Sequence, residues 1–355
     1  MKELKKRRLK LMSIAGLLIF LIVFAATGCS GTKAPQETKV SYVEVKDAVG
    51  RTVKIQEPVK KIVSIYGMIP QFVYLLGEGD KFYAGGFWGT DFYKLVDPDV
   101  MTKVSRGKTA NVEEIAKEKP DVVLCSYWQA NNKDVKQLES LNIPVICTKV
   151  ESIEDINNTV SMLGKVFQKE KQAQNIVDYY KKAEQNVKDK IQGTTKPKVL
   201  IMYYSGKEHS YMTMGGDMFQ SRLVELAGGT SVSQNLSGKK SIDVEQSVKW
   251  NPDMIMIIQY DKSAAQTKDE ILKDPAWGKI NAVKDGKVFL VPNDGDNWID
   301  PCPKWPLGLN WAAKVLHPNE FKDVNIKEQA KDFYKTFFGL NIDKVQINGD
   351  LITNK

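Results

Sequence analysis

The side chains best equipped for chemistry here are aromatic and polar groups that directly follow short apolar runs. Tyr66 follows Ile62-Val63-Ser64-Ile65, and Trp88 stands in Gly85-Gly86-Phe87-Trp88-Gly89. Tyr127 and Trp128 follow Val122-Val123-Leu124-Cys125-Ser126, Tyr204 follows Val199 to Tyr203, and Trp298 and Trp305 lie further on. In doubly wound α/β lobes, ligands bind at the carboxyl ends of strands, so these aromatics are candidate walls for a large, partly apolar ligand. Polar neighbours (Gln129 and Asn131; Asp296 and Asn297) mark Trp128 and Trp298 as the two most open to a ligand. Arg106 and Lys108, in a Ser105-Arg106-Gly107-Lys108 loop, are the best cations for a bound anion. That thin positive charge fits a metal chelate better than a strongly anionic tris-catecholate. His209, Met212 and Met214 offer soft metal donors, but the chain holds two histidines, and His317 falls on a distant C-terminal helix. No bare metal site and no cofactor is therefore expected. Cys302 lies between Pro301 and Pro303, either as a crowded thiol without a role or as a thiolate ligand to a haem or corrinoid metal. No nucleophile elbow, P-loop or dinucleotide fingerprint is present. Catalysis is not expected.

The N-terminus sets the compartment. Lys2, Lys5, Lys6, Arg7, Arg8 and Lys10 precede an uncharged run from Leu11 to Gly28, the plan of an export signal. The run closes on Ala26-Thr27-Gly28-Cys29, which resembles a bacterial lipobox with Ala26 in the place usually held by Leu. Cleavage before Cys29 would leave a diacylglycerol-bearing thiol that anchors the protein to the outer face of the cell membrane. An uncleaved membrane-spanning anchor is the alternative. Removing residues 1–28 takes away six Lys/Arg and one Glu, so the full-length charge of +8 falls to 45 bases against 42 acids. A mature chain at +3 gives no electrostatic ground for a nucleic-acid partner. Cys125 and Cys147 each close a short apolar run, either as buried thiols or as a disulfide that an exported protein can keep.

These residues need elements to position them, and an internal repeat supplies the plan. Val112-Glu113 through Lys119-Pro120-Asp121 precedes Val122-Val123-Leu124, and Val244-Glu245 through Pro252-Asp253 precedes Met254 to Ile258. Each segment predicts a short helix, a Pro-Asp turn and a buried strand. A second pair matches Lys61 to Tyr66 with Lys198 to Tyr203, each followed by a helix that a glycine stops, Gly77 or Gly228. Between the halves, Lys169 to Ile191 has no Pro or Gly, and apolar residues recur at Ala173, Ile176, Val177, Tyr180, Ala183, Val187 and Ile191. The expected fold is α/β: two Rossmann-like α/β lobes joined by a single long helix. The expected divisions are a signal (1–28), a tether from Cys29 (29–41), an N-terminal lobe (42–165), a linker helix (166–195) and a C-terminal lobe (196–355).

With these motifs in order, the chain resembles the substrate-binding proteins of ABC importers for iron–siderophore, haem and cobalamin, the helical-backbone class. The likeness runs from Asp47-Ala48-Val49-Gly50-Arg51-Thr52-Val53 through Pro120-Asp121 and Pro252-Asp253 to a late hairpin at Ile280 to Phe289. It implies a ligand cleft between the lobes, and lobe tips that dock onto a permease dimer through one acidic residue each. Glu225 is the implied docking residue of the second lobe. Gln71 stands where the first lobe usually has Glu, which leaves an uncharged contact or a neighbour such as Glu78. Pro301-Cys302-Pro303-Lys304-Trp305-Pro306-Leu307-Gly308 resembles a stretch that faces the cleft in one branch of the family. The implied ligand is an iron(III)-siderophore or similar chelate, with haem or a corrinoid next and molybdate or tungstate third. The implied state is a monomer. The alternative of another class is a structural or adhesive surface lipoprotein.

Overall fold

The computed structural model describes residues 40–351, apart from 88, 110, 261 and 262. The expected export signal, the expected tether and Cys29 lie outside the described residues. An antiparallel pair comes first, β1 (Ser41–Lys46) with β2 (Thr52–Glu57). The first lobe follows: β3 (Ile62–Ser64), α1 (Pro70–Leu75), β4 (Phe82–Gly85), α2 (Thr90–Tyr93), α3 (Val100–Thr109), α4 (Val112–Glu118), β5 (Val122–Ser126), α5 (Lys133–Ser140), β6 (Val145–Thr148) and α6 (Ile153–Val166). Its sheet is wholly parallel in the order β4-β3-β5-β6. Every residue of β3, β5 and β6 is buried, because helices cover both faces of the sheet. That is why these strands read as unbroken apolar runs without alternation.

Helix α7 (Glu170–Lys190) leads into the second lobe. There follow β7 (Lys198–Ser205), β8 (Ser210–Met214), α8 (Phe219–Leu226), β9 (Thr230–Ser231), β10 (Lys239–Ile242), α9 (Val244–Trp250), β11 (Met254–Ile257), α10 (Ala264–Lys273), α11 (Asn281–Lys284), β12 (Val288–Leu290), α12 (Trp305–Leu316) and α13 (Ile326–Phe338). The sheet runs β10-β8-β7-β11-β12, with β9 against β7. The hairpin expected over Ile280 to Phe289 is instead the short α11, a turn and β12. Strand β12 pairs with β11 in parallel, which requires a crossover and not a hairpin.

The repeat has a physical basis in shared hydrogen bonds. Asn111 caps α4 through the Glu114 N–H, and Asp243 caps α9 through the Gln246 N–H. Both helices stop on a left-handed residue, Lys119 or Asn251. Asp121 then accepts the N–H groups of Lys60 and Lys61 at 2.7 and 2.8 Å, and Asp253 accepts that of Lys198 at 2.8 Å. Each carboxylate thereby ties the start of one lobe strand to the start of its neighbour.

The lobes are joined by more than α7. Tyr180 of that helix donates to the Pro303 carbonyl at 2.9 Å and meets the Trp305 ring edge-on at 5.3 Å. Helix α13 returns to pack Phe333 on Tyr179, and Tyr334 and Phe338 on Phe92 of the first lobe. Gly295 and Gly89, both at positive φ, approach so closely that a Cβ on Gly295 would stand 3.2 Å from the Gly89 Cα. The described residues from Ser41 onward form one compact unit. Cys125 and Cys147 face each other across β5 and β6 with sulfurs 3.2 Å apart, both as free, buried thiols. Among the described residues no helix is long and apolar enough to cross a membrane.

Candidate ligand cleft

Where the strands of both lobes end at their carboxyl edges, the chain leaves a cavity of about 540 Å³. Tyr66, Met68 and Gln71, which follow β3, line it from the first lobe, together with Glu151 after β6. The second lobe supplies Met218 and Gln220 from the start of α8, Lys239 from β10, and Gln259 and Tyr260 after β11. A loop from Asn293 to Cys302 closes the floor. Its neighbours hold that loop in place. Gln259 N–H donates to Asn297 Oδ1 at 2.8 Å, and the Trp298 N–H reaches the Pro292 carbonyl at 2.9 Å. Helix α12 lies so close behind that a Cβ on Gly308 would stand 2.1 Å from the Trp298 carbonyl oxygen. A separate hollow of about 440 Å³, between β1 and α6, shares no residue with this cleft.

The cleft is rich in amides and poor in positive charge, with Lys239 beside the carboxyl groups of Glu151, Asp296 and Asp300. Asp300 accepts from Gln220 Nε2 at 2.6 Å, Tyr260 OH at 3.1 Å and Asn297 Nδ2 at 3.4 Å. Burial nonetheless outweighs these three donors and pushes its carboxyl up to about 6. Lys239, the cation among the described lining residues, sits 4.9 Å over the Tyr260 ring and 5.7 Å over that of Tyr203. Beneath the floor, Lys304 is fully buried between Asp294 at 2.7 Å and Asp296 at 2.9 Å. Burial works to lower the Lys304 ammonium, but the two carboxylates override it and hold it above its ordinary value. Its Nζ also lies 4.3 Å over Phe92, and Tyr334 OH donates to Asp294 at 2.7 Å, so this charge cluster links both lobes to α13.

The expected site residues divide sharply. Tyr66 and Cys302 line the cleft, and Trp128, 54% exposed, stands edge-on to Tyr66 at 5.5 Å on the rim. Tyr127 lies beside it under Lys149. Trp88 falls outside the described residues. Gln71, expected to dock a permease, is instead buried and lines the cavity, because α1 directs its first turn into the cleft. Glu78 is buried in ion pairs with Lys81 and with Lys169 at 3.0 Å, and so presents no outward charge. Glu225 is exposed on α8. Trp298, Trp305 and Met214 are core residues with no exposure, since the polar neighbours of Trp298 turn to the cleft while its indole turns inward. Tyr204 alternates to the sheet face away from Tyr203 and packs on Tyr211, which packs on Trp277. Arg106 is in a helix, not a loop. Its guanidinium lies over Tyr83 and reaches the Tyr83 carbonyl near the start of β4, and Lys108 shares that helix. Burial holds the Cys302 thiol well above its ordinary range, so it is a neutral thiol and not the thiolate a metal would need. Among the described residues no cluster of His, Cys, Asp and Glu could hold a metal ion.

Sequence reasoning passed over Gln220, Lys239, Gln259, Tyr260 and Asp300. Gln259 and Tyr260 were within reach, since they directly follow the run Met254 to Ile258 by the rule that selects Tyr66. Lys239 belongs to an edge strand that no apolar run announces.

Two α/β lobes that follow one another in the chain through a single long helix, with a polar cleft between them, define a solute-binding protein. The profile of the periplasmic binding protein family matches residues 62–294, and the chain belongs to that family. It is similar to the uncharacterized ABC transporter substrate-binding lipoprotein YvrC of Bacillus subtilis (28% identity over 87% of this chain and 98% of that protein). The molybdate-binding protein MolA of Haemophilus influenzae aligns at 25% over 83% and 88%. A periplasmic solute-binding protein of Veillonella parvula, solved as a crystal structure, superposes with a TM-score of 0.74 at 26% identity, over 85% of this chain and 94% of its own. The family consists of substrate-binding proteins of ABC transporters and not of enzymes.

Proposed function

We propose that this chain is a lipoprotein, anchored through Cys29 outside the cytoplasm, whose cleft captures a metal chelate of low net charge and delivers it to a permease dimer. A ferric trihydroxamate is the leading candidate, and a corrinoid or haem comes next. One observation carries the reading: a cavity of about 540 Å³ whose walls are mostly amides, phenols and thioethers, with one lysine set against three carboxyl groups, Glu151, Asp296 and Asp300. Three hydroxamate anions cancel the charge of ferric iron, so such a chelate meets no electrostatic penalty there, whereas a tris-catecholate remains strongly anionic. The protein acts as a monomer with lobes at 42–165 and 196–355, and Glu225 on the exposed side of α8 meets the permease.

A second reading is molybdate or tungstate. It is favoured by α8, whose first turn faces the cavity without a side-chain cap and so offers N–H groups and the positive helix end to an anion.

The test is calorimetric titration with a ferric trihydroxamate, cobinamide, haem and molybdate. Sub-micromolar binding of one chelate, with molybdate inert, supports the first reading. Tight molybdate binding with inert chelates overturns it in favour of the second. In a reconstituted importer, Glu225→Ala is expected to reduce uptake severalfold while leaving the ligand Kd unchanged, and equal uptake would remove Glu225 from the docking surface.

A further inference from the structure

The internal repeat brings an aromatic pair to the mouth of the cleft in each lobe. Strands β3 and β5 pair in parallel with Ile62 against Val122, and β7 and β11 repeat that register with Val199 against Met254. Tyr66 stands five residues after Lys61, and Tyr203 five after Lys198. Trp128 and Tyr260 each stand seven residues after a junction aspartate, Asp121 or Asp253. Matched positions hold matched geometry. Tyr66 meets Trp128 at 5.5 Å with ring planes at 84°, and Tyr203 meets Tyr260 at 4.9 Å with planes at 83°. The outer ring of each pair stays open, at 54% exposure for Trp128 and 43% for Tyr260.

The two pairs differ in charge. In the second lobe the chain supplies its own cation, Lys239, which lies 4.9 Å over the Tyr260 ring and 5.7 Å over that of Tyr203. In the first lobe no lysine or arginine among the described residues lies over the Trp128 indole. The charged residue that this lobe gives to the described lining is Glu151, which is exposed and makes no ion pair among the described residues. Burial and then the Glu151 charge push the Tyr66 hydroxyl above its ordinary range, so that carboxylate stands beside the aromatic pair. Lys149, two residues before Glu151, is engaged elsewhere, with Asp155 at 3.4 Å and over the Tyr127 ring at 5.5 Å. An indole face beside a carboxylate attracts a cation, through the ring quadrupole and through direct charge. We infer that Tyr66, Trp128 and Glu151 form a subsite for an ammonium group carried on the periphery of the ligand. The inference rests on the chelate reading and narrows it to chelates with a pendant amine. Lys239 repels that amine from the second lobe and so fixes which way round the ligand lies.

The experiment titrates the purified protein with two ferric chelates that share one inner sphere. These are ferrioxamine B, a linear trihydroxamate ending in a primary ammonium, and its N-acetylated form, which is uncharged. The parent is expected to bind the ammonium form about tenfold more tightly than the acetylated one. Glu151→Gln and Trp128→Leu are each expected to cut that preference to about threefold or less, with the acetylated form bound as by the parent. Both side chains are exposed, so neither substitution opens the core. Lys239→Met is expected to strengthen binding of the ammonium form about threefold, a gain that removal of a merely structural lysine would not give. Equal affinity of the parent for the two chelates, or an equal loss for both in the Glu151 and Trp128 variants, overturns the ammonium subsite and leaves the chelate reading standing. If the parent binds neither chelate, the ferric trihydroxamate reading falls and the subsite with it.

Discussion

At Asp300 three hydrogen-bond donors compete with burial, and burial wins, leaving a carboxyl that titrates near pH 6 on the wall of the cleft. Its folded value is raised above the ordinary carboxylate range, so the folded state holds a proton that the unfolded chain has already released. Stability from this group is therefore complete below the unfolded value and is lost as pH rises through about 6. Lowering the pH from about 7.5 to 5 should raise the melting temperature of the parent relative to Asp300→Asn, and a constant difference would contradict the assignment. Lys304 is the reverse case, a cation stabilised by its partners. Lys304→Met leaves Asp294 and Asp296 buried against each other, a loss of about 3–5 kcal/mol that a shift in denaturant midpoint would measure.

Among the elements, the paired helices α4 and α9 show why a repeat was visible in the sequence. Each carries an N-cap, a left-handed stop and an aspartate that ties two strands, all short-range features with side-chain signatures. Asn111→Ala and Asp243→Ala should each cost about 1 kcal/mol. Because the two caps serve different lobes, the double variant should show the sum of the two losses in a denaturation series. The elements misread were those whose form depends on distant partners. Segment 105–108 looks like a loop because of Gly107, but that glycine lets α3 pack on β4: a Cβ there would stand 2.1 Å from the Gly85 carbonyl oxygen. The run through Val288 looks like a hairpin until β11 is seen to receive β12 in parallel.

For the whole molecule the question is how far the lobes can move. Helix α7 spans about 31 Å at 1.5 Å per residue. It does not join the lobes alone. The Lys304 cluster and the return of α13 onto Phe92 bind the lobes together from behind the cleft. The cleft is thus largely preformed, and ligand is expected to leave the solution scattering profile unchanged. A clear contraction on ligand binding would show instead that these contacts open in the free protein.

The amino-acid sequence by itself determined the class of this protein. The two Pro-Asp junctions, the long uninterrupted helix and the strand runs are local patterns, set by periodicity and capping, and they survive without knowledge of the fold. Which side chains join Tyr66 and Cys302 in the cleft was decided largely by tertiary structure. Trp298 and Asp300 are two residues apart, yet one is fully buried in the core and the other faces the ligand space. Gln71 and Gln220, far apart in sequence, meet across one cavity because two helices direct their first turns into the gap between lobes. The direction of a side chain in a loop or first turn depends on what packs behind it, and local sequence carries no record of that.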